Sequence, residues 1–200
     1  MSFETRWASG VRTLAATAVR SRLLERYDTP RQLLDDTAFD PDIREAFSAP
    51  GASFVTLTKD GRLRGCIGNL VADRPLSTAL VHHARRATTD PRMAAVTVDE
   101  WPHLTIEVSI LSQPRPIDVD TPADLLASLR PDVDGLTLRQ GSKRATFLPS
   151  VWKTLKSPER FVAGLLAKGG WDEWPTDIQI ERYTTKTYTD HPPRPQLEPT

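Results

Sequence analysis

Hydrophobic and polar positions follow two rhythms along this chain, and the rhythms divide it into elements. Phe3, Trp7, Val11, Leu14 and Ala18 recur at steps of four and three, the period of one helical face, which predicts a helix over about residues 3–26. Asp40-Pro41-Asp42 supplies an N-cap, a proline at the first helical position and an acid in the first turn, so a short helix opens there and ends near Pro50-Gly51. In SFVTLTKDGRLRGCIG the rhythm changes. Two β-rich runs flank Asp60-Gly61, a two-residue signal for a type I′ hairpin. That turn sets Leu57 opposite Arg64 and Val55 opposite Cys66. Arg64 and Cys66 then share a face, with Gly65 pointing the other way. A bulge at a glycine would shift the pairing beyond it.

Pro75 opens a helix to about residue 88, with Leu76, Leu80, His83, Ala84 and Ala87 on one face and Arg85 opposite. Asp90-Pro91 ends it, because the residue before a proline avoids helical angles. In HLTIEVSIL, residues 103–111, Leu104, Ile106, Val108 and Ile110 alternate with polar residues as in a half-buried strand. Thr121-Pro122 caps a further helix to about Leu129, with Asp124 in the capping-box position. Strands are expected at 135–141 and 143–148, and a helix from Ser157-Pro158 to the Gly169-Gly170 stop. A last strand runs from Ile178 to Tyr188. Hairpins and helices without a βαβ rhythm point to an α+β protein, a mixed, mainly antiparallel sheet with flanking helices. Residues 1–189 read as one domain, and 190–200 as a proline-rich tail expected to be disordered.

Composition narrows the function classes. The 26 acidic and 26 basic side chains cancel, which argues against nucleic-acid binding or an anionic membrane surface. A single cysteine excludes a disulfide framework and any multi-cysteine zinc site, and no histidines have metal-ligand spacing. The N-terminal stretch has no signal-peptide core, and no window reaches transmembrane length, so a soluble cytoplasmic protein is expected.

The order SFVTLTKDGRLRGCIG, DPRM, LTIEVSIL, FLPSVW and AKGGW resembles the AMMECR-one domain family, whose bacterial members are called AmmeMemoRadiSam system protein A. The resemblance covers about residues 3–189, with LRGCIG as its hallmark. It departs at Ala145, Met93 and Lys168-Gly169-Gly170, where the family usually carries glycine, an aromatic residue and lysine-alanine-glycine. The resemblance implies an α+β fold in which residues 1–189 form one domain of two lobes, a main one and a smaller second lobe, with LRGCIG beside a cleft between the lobes. It also implies an association with a Memo-type protein and a radical S-adenosylmethionine enzyme. It names neither a reaction nor a cofactor.

Cys66 is the first candidate for chemistry. It reads either as a nucleophile or redox thiol beside Arg64, or as a small packed hydrophobe. Arg64 reads as an anchor for a small anionic ligand, as a surface strand residue, or as the partner of Glu107. A buried guanidinium requires an acidic partner or an anionic ligand. Glu107 is a general base, a counter-ion or a solvated acid. His83 is a base for Cys66 or a core histidine bonded to a backbone carbonyl. Gly65 and Gly68 would let a ligand approach the backbone. Asp90 and Arg92 mark a helix stop or a cleft rim. Lys168 reads as a helix C-terminal cation. Two function classes follow: a cysteine-dependent small-molecule enzyme or enzyme component, and a non-catalytic adaptor for a Memo-type or radical S-adenosylmethionine partner. The chain holds no CxxxCxxC motif, so it is not itself the radical enzyme.

Overall fold

The computed structural model describes residues 1–119 and 121–197. Its elements are helix α1 (Phe3–Leu23), α2 (Pro30–Asp36), α3 (Pro41–Ser48), strands β1 (Ser53–Lys59) and β2 (Arg62–Gly68), and helix α4 (Leu76–Ala87). A 3-10 helix (Val98–His103) leads into β3 (Leu104–Leu111), then β4 (Arg115–Pro116), α5 (Pro122–Ser128), β5 (Gly135–Gln140) and β6 (Lys143–Phe147). A second 3-10 turn (Pro149–Val151) precedes α6 (Trp152–Leu155), α7 (Pro158–Gly169), β7 (Gln179–Tyr183) and β8 (Thr185–Asp190). The fold is α+β, built on two four-stranded sheets of order β2-β1-β3-β8 and β4-β7-β5-β6.

The chain divides into two compact units. One is Met1–Ile110 with the stretch from Thr187 onward, and the other is Leu111–Lys186. In the first unit, Ser53, Val55 and Leu57 of β1 alternate inward and are fully buried. Helix α4 packs on β1 and β2, and α1 packs on α4. Helix α4 is therefore covered on two sides, so Ala79 and Val81 are buried along with the predicted Leu76, Leu80, His83, Ala84 and Ala87. In the second unit Leu136, Leu138, Phe161 and Leu165 form the core, with Trp152 stacked on Phe161 at 4.0 Å between ring centroids.

Several expectations change in detail. Helix α1 stops at Leu23 because Glu25 turns to a left-handed φ of 56° and the Arg26 N–H returns to the Ser21 carbonyl. Helix α2 is absent from the periodicity reading. It is nucleated by a capping box in which Thr29 accepts the Gln32 N–H and Gln32 accepts the Thr29 N–H. Asp40 precedes α3 as expected but makes no cap bond; its carboxylate pairs with Arg6 at 2.7 Å. The alternating run expected as one strand from Ile178 to Tyr188 is two. It breaks at Thr184, with β7 in one sheet and β8 in the other. There Thr184 accepts the Ser112 N–H and donates its own N–H to the Ser112 hydroxyl. Of the tail expected at 190–200, residues 198–200 lie outside the described residues. Arg194 binds Asp190 and the Leu104 carbonyl and lies over the Trp101 ring, and Leu197 joins the core.

Candidate functional site

The LRGCIG stretch occupies β2, the edge strand of the first sheet. Asp60 and Gly61 both take positive φ, 50° and 74°, as a type I′ turn requires. The hairpin begins in the expected register, with Lys59 opposite Arg62 and Thr58 opposite Leu63. The register then shifts, and Leu57 meets Gly65, Thr56 meets Cys66 and Val55 meets Ile67. Arg64 is the extra residue of a bulge. The expected Leu57–Arg64 and Val55–Cys66 pairings are therefore corrected by one residue.

The physical reason lies at Gly65. With the bulge, Gly65 faces the buried side of the sheet, and a Cβ on it would sit 1.9 Å from the Ala87 carbonyl oxygen of α4. Only a residue without a side chain lets α4 approach this closely. A Cβ on Gly68 would meet the Phe54 ring at 2.3 Å and the Ser53 carbonyl oxygen at 2.4 Å. The space beside both glycines is filled by the protein's own atoms, not left open for a ligand.

Because β2 is an edge, the peptide groups of Cys66 that face away from β1 need partners. The Asp90-Pro91-Arg92 segment supplies them. The Asp90 carboxylate accepts the Cys66 N–H at 2.9 Å, and Arg92 donates to the Cys66 carbonyl at 2.9 Å. Arg92 also binds Asp90 through Nε at 2.9 Å and a terminal nitrogen at 2.5 Å. The Asp90 side chain is fully buried. Hydrogen bonds from the Arg92 side chain, joined by the Cys66 N–H, hold it well below the usual carboxylate range. The helix stop read from sequence is thus also a clamp on the edge of β2.

Arg64 is held differently. Its fork donates to both Glu100 oxygens, at 2.8 and 2.9 Å, and to the Ala95 carbonyl at 3.3 Å. Glu100 also accepts the Thr97 N–H, closing a capping box at the head of the 3-10 helix. Hydrogen bonding to Arg64 holds the Glu100 carboxyl down to about 2. The acidic partner required by a sheltered guanidinium is therefore Glu100, not Glu107. Sequence reading missed Glu100, although Thr97-x-x-Glu100 is a capping-box pattern.

Cys66, Thr56 and Glu107 come together as a row across three strands. Thr56 is the register partner of both Cys66 and Glu107. All three are half-buried and lie on the sheet face opposite Val55 and Leu57. The Thr56 hydroxyl donates to the Cys66 sulfur at 3.3 Å. The Glu107 carboxylate makes no hydrogen bond or ion pair among the described residues. Two strand spacings separate Cys66 from Glu107, roughly 10 Å between backbones. Beyond the row, the buried side-chain oxygen of Asn69 has no hydrogen-bond partner among the described residues.

His83 is not part of this row. Its Nδ1 contacts the Ser53 hydroxyl at 3.0 Å, and Ser53 belongs to the buried face of β1. His83 is a core histidine held by a side-chain hydroxyl in place of the expected backbone carbonyl. Burial, with smaller contributions from His82 and Arg74, lowers its pKa to about 4. Lys168 sits in the last turn of α7 as expected; it donates to the Thr146 carbonyl at 2.9 Å and lies over the Phe147 ring. Among the described residues, no group of three His, Cys, Asp or Glu side chains is placed to hold a metal ion. No described helix is long and apolar enough to cross a membrane.

The structure thus combines two four-stranded sheets of an α+β fold with an edge strand whose cysteine is clamped at both peptide groups by an Asp-Pro-Arg segment. The family described as AMMECR1 matches residues 13–188, and the chain belongs to it. A protein of Methanococcoides burtonii is 33% identical over 166 residues, covering 78% of this chain and 80% of that one. A protein of Thermotoga maritima is 31% identical over 170 residues, covering 84% and 92%. A protein of Methanothermobacter thermautotrophicus is 41% identical over 111 residues, a match spanning 58% of its length. The crystal structure of the uncharacterized protein PH0010 from Pyrococcus horikoshii superposes with a TM-score of 0.80 at 25% identity, covering 97% of this chain and 96% of that one.

Proposed function

We propose that this protein acts on a small molecule, as an enzyme or as one component of an enzyme, at the half-buried row formed by Cys66, Thr56 and Glu107. One observation carries the reading: the bulge turns a thiol onto the polar sheet face beside a hydroxyl donor, with a carboxylate that is unpaired among the described residues next in line. Cys66 supplies the thiol. Thr56 orients its sulfur. Glu107 is too far to exchange a proton with the sulfur directly, so it serves a molecule lying across Thr56. Arg64, Asp90 and Arg92 fix the strand that carries Cys66. The test is a small-molecule extract applied to the full chain and to Cys66→Ser and Glu107→Gln. The reading expects a metabolite that is bound or converted by the parent and by neither folded variant. Equal behaviour of all three overturns it.

A second reading, an adaptor for a Memo-type or radical S-adenosylmethionine partner, is favoured by a different observation. Leu63 and Val71, on either side of the LRGCIG core, are 45% and 48% exposed. An adaptor would tolerate Cys66→Ser and lose its partner in Leu63→Asp/Val71→Asp.

A further inference from the structure

A concave region of about 460 Å³ lies in the first unit, away from the Cys66 row, along the side of α1 that faces away from the core. Its volume falls within the range of small-molecule sites. Its wall is chemically one-sided. Arg12, Thr13, Thr17 and Arg20 project from one stripe of α1, at the helical spacing that leaves Val11, Leu14, Ala15 and Ala18 for the core. The opposite wall is Arg194, stacked on the Trp101 ring at 4.9 Å.

The three guanidinia differ in kind. Arg194 is a fixed element: its side chain is 9% exposed, and it is tied to Asp190 at 2.6 Å and to the Leu104 carbonyl. Arg12 and Arg20 have no ion pair and no side-chain hydrogen bond among the described residues. Asp190 is the sole carboxylate in the wall, so the lining carries three positive charges against one negative. In a chain whose 26 acidic and 26 basic side chains cancel, this is a local excess. Helix geometry sets Arg12 and Arg20 about 12 Å apart along the axis, a span that two long side chains can close upon one polyanionic group. The threonine hydroxyls between them add donors to the same oxygens.

We infer that this groove binds the phosphate-bearing end of a small phosphorylated molecule, with Arg12 and Arg20 as the recruited cations and Arg194 as the preformed one. The inference does not rest on the reading of the Cys66 row. The test uses inorganic pyrophosphate as probe on the full chain, with titration calorimetry at constant ionic strength. The same titration is run on Arg12→Gln/Arg20→Gln and on Arg26→Gln/Arg31→Gln, a control of equal charge change at exposed positions outside the groove. Saturable binding by the parent and the control, weakened at least tenfold in Arg12→Gln/Arg20→Gln, is the expected result. No saturable binding, or equal weakening in both variants, overturns it. Unliganded melting curves establish that each variant is folded before titration. A sedimentation assay with phosphatidylserine vesicles separates a soluble ligand from a lipid headgroup. The parent is expected to stay in solution, and vesicle binding that depends on Arg12 and Arg20 would overturn the assignment to a soluble molecule.

Discussion

The buried carboxylate of Asp90 accepts the backbone N–H of Cys66 at 2.9 Å, joining the two sequence signatures of this chain in one hydrogen bond. LRGCIG and DPR are 24 positions apart at these residues, yet they form one structural unit. Asp90→Asn removes the charge that holds Arg92 and weakens the acceptor for Cys66. Asp90 is buried but Arg92 is 62% exposed, so the cost is that of hydrogen bonds to a charged group, about 1.5–3 kcal/mol. The expected outcome is a large drop in the denaturation midpoint together with faster hydrogen exchange at the Cys66 amide, measured by mass spectrometry. Unchanged exchange at Cys66 would show that the clamp does not hold the strand.

Gly65→Ala places a methyl group against the Ala87 carbonyl oxygen, a backbone atom that cannot swing aside. Overpacking of this kind costs about 1–3 kcal/mol where the core can adjust, and more where the obstacle is backbone. Urea denaturation should give a loss of about 3 kcal/mol or more, the upper range for single substitutions. Gly61→Asn, at a turn position with φ of 74° that asparagine tolerates, should cost far less.

The Arg64–Glu100 pair is a testable coupling. A double-mutant cycle on Arg64→Ala and Glu100→Ala should return an interaction of about 1.5–3 kcal/mol, the range of hydrogen bonds to charged groups. The same pair sets an acid limit. The Glu100 carboxyl is held near 2 when folded and lies near 4.5 when free. Its contribution is therefore complete above about pH 4.5 and is lost as pH falls toward 2. Glu100→Gln should flatten the stability profile in that window.

How much of this was legible from residues alone depends on where the signal lay. The hairpin turn, the α4 face and the alternation of β3 carry strong local patterns, and they stand as read. The sequence leaves a bulge at a glycine open, but its place at Arg64 was not legible, because the contact that causes it comes from Ala87 in another element. The same one-residue shift decides which residue faces Cys66. Glu100 and helix α2 carried short capping-box signals that hydrophobic periodicity does not detect. His83 was correctly placed on an apolar helix face. Its partner, Ser53, is a polar residue on the buried face of a strand, a pairing that only tertiary contact defines.

His83 supplies a second pH dependence of different origin. Burial lowers its pKa from the ordinary 6.5 to about 4. Between those values the unfolded chain binds the proton and the folded chain does not. Stability should therefore be full above about pH 6.5 and decline as pH falls toward 4. Thermal melts of His83→Gln should lack this slope while retaining the lower window set by Glu100.

The central claim is that Cys66 presents its thiol on a sheet face open to a ligand. The most direct measurement is iodoacetamide labelling of the native chain followed by intact mass, made unambiguous by the single cysteine. The account predicts one adduct formed without denaturant, as expected for a half-buried thiol that a reagent can reach. Labelling that appears only on unfolding would mean that Cys66 is a packing residue and that the proposed site is not there.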